Sequence, residues 1–157
     1  LAWLGQSSEA WRATLSVTQL RARFIDGFAS NTNTVAAGNR LPGTPERSAF
    51  AELAWTPRSA WGGFNAALEV VHTGRLYAND ANDLADAVAP AATVLNLRAG
   101  LAQTVGPWTF TQLVRVDNAS DRRYAGSVIV NDGNRRYFEP AMPRNWLVAL
   151  NATYEFR

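Results

Sequence analysis

The sequence contains no cysteine and only one histidine, His72, among its 157 residues. Without cysteine there is no disulfide framework, no thiolate metal site and no cysteine nucleophile. A single histidine excludes a metal site built from several histidines of this chain. Arginine supplies all 15 basic residues, and the net charge of +2 is too small and too dispersed to indicate a nucleic-acid partner.

Long hydrophobic runs are also absent. No stretch of about 18 apolar residues occurs, so the sequence predicts no transmembrane helix. The chain does not open with the features of a signal peptide, and its first five residues, LAWLG, read as the end of a strand. We therefore expect a piece of a longer protein or a processed product.

Alternation of apolar and polar residues is the feature that the sequence does contain. Apolar side chains at every second position predict a strand with one apolar face. In Trp11–Phe24 the phase slips near Thr18, which indicates a bulge or a strand that leaves its apolar surroundings. The alternating segments are 1–5, 11–24, 48–55, 64–77, 94–103, 108–118 and 145–156.

The connections between these segments alternate between short and long. Short periplasmic turns and long external loops, joining alternating segments of about ten residues, are typical of transmembrane β-barrels. The opposite face carries polar and charged residues in mid-strand. The apolar face is rich in alanine, whereas the core face of a water-soluble sandwich would be dense with large residues. The sequence therefore predicts an antiparallel transmembrane β-barrel whose apolar face contacts lipid, and a soluble all-β domain is the alternative.

Large aromatic side chains lie near the ends of the predicted strands. Aromatic belts at both interfaces are expected of such barrels, because an indole is apolar but has an N–H group that needs a partner. The predicted membrane-interface aromatics are Trp11, Trp55, Trp61, Trp108, Trp146, Tyr154 and Phe156.

About seven strands do not close a bacterial barrel, which normally has an even number of strands. An open sheet in lipid would leave unpaired backbone groups, each costing several kcal/mol. We therefore expect the chain to be a segment of a larger barrel. The alternative is a small eight-stranded barrel, structural or passively conducting, in which extra strands come from the region Tyr124–Pro140.

No catalytic constellation is present, since no serine is tied to His72, and we predict neither an enzyme nor a cofactor. The acidic loop 79–86 lacks the glycine and the closing glutamate of a calcium-binding EF-hand loop, so we interpret it as a solvated loop without metal. The polar strand residues are expected to face water or another domain and to form ion pairs across strands. They are Glu52, Asn65, Glu69, Asn96, Arg98, Arg115 and Asp117.

The loop Asn131–Arg144 is the best candidate for ligand binding, because guanidinium groups and aromatic faces suit an anionic chelate. The same chemistry occurs at the mouth of the preceding long loop. The alternatives are that these arginines bind lipopolysaccharide phosphates or pair with Asp132 and Glu139. The predicted ligand-binding residues are Arg75, Tyr77, Arg135, Arg136, Tyr137 and Arg144.

Essentially the whole chain resembles the C-terminal part of the barrel of TonB-dependent outer-membrane receptors, and the resemblance is carried by residues 94–126, 135–146 and 148–156. Members typically have a strand that ends in V-x-N-L-F-D-x-x-Y, a loop and an aromatic terminal strand. Here the motif reads VDNASDRRY, Val116–Tyr124, with Ala119 and Ser120 in place of Leu-Phe. The terminal aromatic, Phe156, is followed by Arg157 where family chains usually end.

This resemblance implies that residues 1–157 are the C-terminal portion of a barrel of about 22 strands with a plugged lumen. The signal peptide, TonB-contacting segment and plug of the family would lie outside this sequence. The implied partners are outer-membrane lipid and lipopolysaccharide, the remaining barrel and plug, and the TonB complex. Most members carry iron chelates, which implies a ferric siderophore, but cobalamin, haem, copper and saccharide importers share this barrel end.

Overall fold

The computed structural model describes residues 1–8, 10–30, 33–58 and 62–156, and this part of the chain forms β-strands joined by turns and loops. Within these ranges no helix is long and apolar enough to cross a membrane. Seven long strands form one sheet: β1 (Ala2–Ser8), β2 (Trp11–Gln19), β5 (Arg47–Trp55), β6 (Asn65–Thr73), β9 (Ala92–Val105), β10 (Trp108–Asp117) and β13 (Asn145–Tyr154).

Each long strand pairs antiparallel with the next long strand along the chain, in the order β1-β2-β5-β6-β9-β10-β13. All seven predicted strands are therefore present. The phase slip near Thr18 marks the end of β2 at Gln19, after which Leu20 bonds through its backbone N–H to the carbonyl of Glu46. The slip is therefore the point at which the chain leaves the sheet.

Three short hairpins lie within the three long connections, one in each. They are β3 (Phe28–Ser30) with β4 (Asn33–Val35), β7 (Leu76–Tyr77) with β8 (Val88–Ala89), and β11 (Ala125–Val128) with β12 (Phe138–Pro140). The β11–β12 pair forms a two-stranded sheet of its own, so it adds no strand to the large sheet, contrary to the small-barrel alternative.

The short connections lie at the opposite end of the sheet. One of them consists of Gly106 and Pro107 between β9 and β10, where Val105 pairs with Trp108. Gly106 has a φ of 59°, and hairpin turns of two residues commonly require glycine in this region. The alternation of short turns and long loops along the chain is confirmed.

The two faces of the large sheet differ in chemistry and in exposure. One face, the apolar face, carries aliphatic side chains that stay exposed, from 38% for Leu68 to 76% for Val148. The other, the polar face, carries the charged strand residues. Among the described residues the buried apolar side chains of the large sheet are small, such as Ala54, Ala67 and Val94, and the largest buried side chain, Tyr137, lies in a loop.

The large sheet is open at β1 and β13, each of which has a single long-strand neighbour within the described residues. Such edges present rows of unpaired backbone N–H and C=O groups. A sheet edge of this kind can pair with a further strand.

Candidate functional site

A row of charged side chains crosses the middle of the polar face and links five neighbouring strands. Glu52 on β5 accepts from Arg98 on β9 at 2.6 Å and from Arg12 on β2 at 3.5 Å. Glu69 on β6 accepts hydrogen bonds from both terminal nitrogens of Arg115 on β10, at 3.0 and 3.2 Å. We call this set the charge network, and it consists of Arg12, Glu52, Glu69, Arg98, Arg115 and Asp117, with Asn96 bonded to Glu69 at 3.4 Å.

The register of the sheet places like charges directly opposite each other in this network. Glu52 is paired with Glu69, and Arg98 is paired with Arg115. Like charges in this position are destabilising, so the contacts run diagonally. Arg98 reaches past β6 to Glu52 and also lies 3.8 Å from Glu69. The network thus links strands that share no backbone hydrogen bonds.

The three long loops pack against one another at one end of the sheet, forming what we call the loop cluster: residues 20–46, 74–91 and 118–144, as far as the structure describes them. Ala78 and Ala87 are fully buried, and Tyr137 is 6% exposed and packs with them and with Val128. This small apolar core joins the second and third loops.

Asparagine side chains tie the loop cluster together by bonding to backbone groups of other loops. Asn82, which has a φ of 55°, accepts from the Arg40 N–H at 2.6 Å and donates to the Arg40 carbonyl at 2.9 Å. Asn131 accepts from the Asp80 N–H at 3.1 Å and donates to the Asp80 carboxylate at 2.9 Å. The second loop is thereby held on both sides.

The expectation of a solvated acidic loop at 79–86 holds only in part, since Leu84 is 71% exposed but several polar residues of the loop contact other protein groups. Asn79 is only 5% exposed, and its side chain accepts from the Asp83 N–H at 3.0 Å. Asp86 pairs with Arg135 of the third loop at 3.3 Å. Because the loop lies between two others, its polar residues bond to protein groups. Among the described residues no three acidic or histidine side chains are grouped to hold a metal ion.

The structure separates the predicted ligand-binding residues of the third loop. Tyr137 is buried in the loop cluster, so it presents little surface to a ligand. Arg135 is exposed but paired with Asp86, whereas Arg136 and Arg144 are exposed and bonded through their backbone N–H groups, to Asp132 and Asp121 respectively. Among the described residues no arginine pairs with Glu139, whose carboxylate accepts a hydrogen bond from Ser127.

The other two predicted residues, Arg75 and Tyr77, line a cleft of about 600 Å³ that also contains Arg40, Arg47 and His72. Arg47 and His72 follow the register of Leu53 and Leu68, so the cleft opens on the side of the apolar face. We call it the basic cleft.

Glu46 is the carboxylate of the basic cleft, and Arg40 binds it at 2.6 Å. The hydrogen bond from Arg40 lowers the pKa of Glu46 below its ordinary value, with further help from the charges of Arg40, Arg47 and Arg23. The environment of Glu46 is thus strongly positive.

The predicted interface aromatics form contacts at the short-turn end of the sheet. Trp11 stacks on Trp55 with ring centroids 5.8 Å apart. Tyr154 lies 5.0 Å from Trp108 and 4.7 Å from Phe156, both edge to face. Trp146 lies at the loop end and is 67% exposed. Trp61 lies outside the described residues.

Sequence reasoning missed three groups of residues. The cleft arginines Arg40 and Arg47 could have been found, because Arg47 sits at an apolar-face position of its strand. The bonds of Asn82 and Asn131 had no local signal, since their partners lie about 40 to 50 residues away in sequence. Trp3, 55% exposed, joins the apolar face and covers Gly5, where a Cβ atom would collide with the indole.

No family model matches the sequence. Solved structures do resemble it. BauA, the ferric preacinetobactin receptor from Acinetobacter baumannii, matches 99% of this chain with a TM-score of 0.78 and 16% identity, over 21% of its own length. FyuA, the ferric yersiniabactin uptake receptor from Yersinia pestis, matches 99% with a TM-score of 0.67 and 21% identity, over 22% of its length.

The siderophore receptor PiuA from Acinetobacter baumannii matches 96% of this chain with a TM-score of 0.73 and 15% identity, over 20% of its length. The chain therefore spans about a fifth of each structure that it matches. Those structures are receptors, and the likeness shows that this chain has the fold of a part of such receptors. The predicted fold class, an all-β segment of about seven strands from a larger antiparallel barrel, is confirmed.

Proposed function

We propose that residues 1–157 form the C-terminal portion of the barrel wall of an outer-membrane receptor that takes up a ferric siderophore, driven by TonB. The observation that carries this proposal is the match to BauA, which extends over 99% of the chain with a TM-score of 0.78 and includes both the large sheet and the long loops. The C-terminal position rests on the motif Val116–Tyr124 and on the aromatic strand Asn145–Tyr154.

The chemistry of the large sheet supports a place in the outer membrane. The apolar face would contact lipid, which explains why Leu68, Leu150 and Val148 are exposed without a protein partner. The aromatic contacts at the short-turn end would mark the periplasmic interface, and the loop cluster would face the outside. Lipid and lipopolysaccharide are then the immediate surroundings of the wall.

The polar face would line the lumen. There the charge network would contact water or a plug, and TonB would act on a segment outside this chain. The open edges at β1 and β13 would pair with the remaining strands of the barrel, because lipid leaves unpaired backbone groups no other partner. Passage of substrate would be a gated movement without covalent chemistry.

The exposed arginines of the third loop are the groups best placed to meet an anionic iron chelate. Arg136 and Arg144 have exposed guanidinium groups, and Arg135 could exchange Asp86 for a ligand. A guanidinium group forms paired, charge-assisted hydrogen bonds with carboxylate or catecholate oxygens. Tyr137 would contribute by holding this loop in place.

The proposal is tested with the native protein in its own cells, grown in iron-rich and iron-poor medium. An antibody against residues 131–144 should detect an outer-membrane protein several times larger than 17.1 kDa that increases without iron. Uptake of siderophores loaded with radioactive iron should be lost when its gene is deleted and when the gene for TonB is deleted.

A protein of the size of this chain would support the small passive barrel instead. If the protein is large but its deletion leaves ferric siderophore uptake unchanged, the receptor fold stands and the proposed iron ligand is wrong. As a finer test, the triple variant Arg135→Gln, Arg136→Gln and Arg144→Gln should raise the substrate concentration for half-maximal uptake. The matched control is Arg122→Gln with Arg123→Gln, two exposed arginines earlier in the same connection.

A further inference from the structure

The basic cleft lies at the border between the apolar face and the loop cluster. Three arginines and one carboxylate line it, which leaves a net charge of +2 with His72 neutral. Tyr77 and Pro90 add an aromatic ring and an apolar surface to its wall. The cleft is thus a cationic site with apolar sides and a volume of about 600 Å³.

Two of its guanidinium groups have no side-chain partner within the part of the chain that the structure describes. Arg47 and Arg75 are exposed, and no described residue forms an ion pair or a side-chain hydrogen bond with either. In contrast, Arg40 is held by Glu46 at 2.6 Å, and His72 Nδ1 lies 2.9 Å from the hydroxyl of Thr93. Two arginines therefore remain available for an anion.

The height of the cleft follows from the strand geometry. Arg47 and Trp55 are the two ends of β5, and the rise of about 3.3 Å per residue separates them by roughly 26 Å along the strand. With the usual tilt of barrel strands this corresponds to a height of about 20 Å, close to the height of the apolar band. Because Trp55 belongs to the aromatic contacts at one interface, Arg47 lies near the other.

We propose that the basic cleft binds the phosphate group of a lipid in the outer leaflet. The phosphate would accept hydrogen bonds from Arg47 and Arg75, whose planar donors match phosphate oxygens. The ring of Tyr77 and the surface of Pro90 would contact the sugar or glycerol that carries the phosphate, and the acyl chains would continue onto the apolar face. This proposal rests on the membrane placement within the proposed function, and it does not depend on the transported ligand.

The side on which the cleft opens separates this site from a substrate site. A siderophore would enter the lumen, along the polar face, whereas Arg47 and His72 lie on the apolar face. Val88, Pro90 and Ala91 also line the cleft and give it apolar walls, which a free anion would not need. A lipid satisfies both the charge and the apolar surface.

Binding is measured by calorimetry on the full-length protein that carries this chain, delipidated in a neutral detergent. The probes are dihexanoyl phosphatidic acid, dihexanoyl glycerol as the uncharged lipid, and inorganic phosphate as the free anion. Phosphatidic acid should bind at least about tenfold more tightly than either control, because only it combines phosphate with acyl chains. The variant Arg47→Gln with Arg75→Gln should weaken its binding by about tenfold or more.

The control variant Arg122→Gln with Arg123→Gln removes the same charge elsewhere and should bind the lipid like the unaltered protein. Equal binding by the cleft and control variants would overturn the site, and equal affinity for inorganic phosphate would make it a site for free anions instead. If the double variant does not fold, the single variant Arg75→Gln, which lies in a loop, replaces it in the binding measurement. Ferric siderophore uptake, measured on the single variant Arg47→Gln, should be unchanged, so failure of the lipid site and failure of the transport proposal are separate results.

Discussion

The large sheet leaves its large aliphatic side chains exposed, whereas the loop cluster packs a small apolar core. In the sheet, large aliphatic residues such as Leu150, 71% exposed, point away from the protein. In the loops, the fully buried residues are small, Ala78 and Ala87, and the large Tyr137 is packed against them. Large apolar side chains are thus exposed in the sheet, whereas the loop cluster buries one of its large rings.

This difference shows that the two regions are suited to different solvents. A contiguous exposed apolar surface of this size is unfavourable in water and favourable in lipid. In the proposed placement the loops fold in water, where a small core of their own and side-chain amides satisfy their apolar and backbone groups. Four changes test this comparison, in order of decreasing expected effect.

Leu68→Arg should cause the largest loss, because Leu68 lies in the middle of β6 on the apolar face. An arginine at mid-depth of a barrel wall costs about 2–4 kcal/mol in the free energy of unfolding from a bilayer. The measurement is guanidinium unfolding of the full-length protein in lipid vesicles. The control is Thr14→Arg, at a nearby level on the polar face, where Thr14 pairs with Glu52; its cost should stay within about 0.5 kcal/mol. Equal costs would refute the lipid assignment.

Glu69→Gln should destabilise the wall by about 2 kcal/mol, because a neutral amide leaves the partly buried arginines facing each other. In a double-mutant cycle with Arg115→Gln, the coupling energy should be about 1 kcal/mol or more. Glu155→Gln, an exposed position, should change stability by less than about 0.5 kcal/mol. A coupling energy near zero would show that the network adds nothing to the stability of the sheet.

Tyr137→Ala should loosen the loops without loosening the sheet. Loss of the ring removes the largest member of the small core, and the local opening energy should fall by about 2 kcal/mol, or roughly thirtyfold in amide exchange. Hydrogen exchange of residues 74–91 and 118–144 measures this, with the long strands as an internal reference. Phe138→Ala, whose side chain is 40% exposed, is the matched control and should have a smaller effect. Faster exchange in the long strands would show that the two regions fold as one unit.

The smallest effect concerns the ion pair of Arg40 and Glu46. Since its partner lowers the pKa of Glu46, the pair contributes fully above the ordinary glutamate value of 4.5 and is lost as the pH falls through the lowered value. Amide exchange around residues 40–47, corrected for intrinsic rates, should therefore increase only in acid below that point. Glu46→Gln should remove this pH dependence, and a change centred near neutral pH would implicate a different group.

Alternation along the chain predicted the seven strands, their faces and the end at which the long loops lie. It succeeded because the side-chain period of a strand is a local property. The burial of Tyr137 could not be predicted in this way. Its ring is buried by Ala78 and Ala87, residues of another loop, and a buried tyrosine and a ligand-binding tyrosine look alike in sequence.

The sequence by itself determined which residues form strands, which face is apolar and where the aromatics gather, because these depend on spacing along one strand. Only the tertiary structure decided that Arg98 pairs diagonally with Glu52 and that Asn82 bonds to the backbone of Arg40. It also decided that Arg47 and Arg75 line the same cleft. Each of these depends on the register between strands or on the packing of loops that are distant in sequence. The physical reason is that charge and hydrogen-bond partners are chosen by distance in space, which local periodicity does not encode.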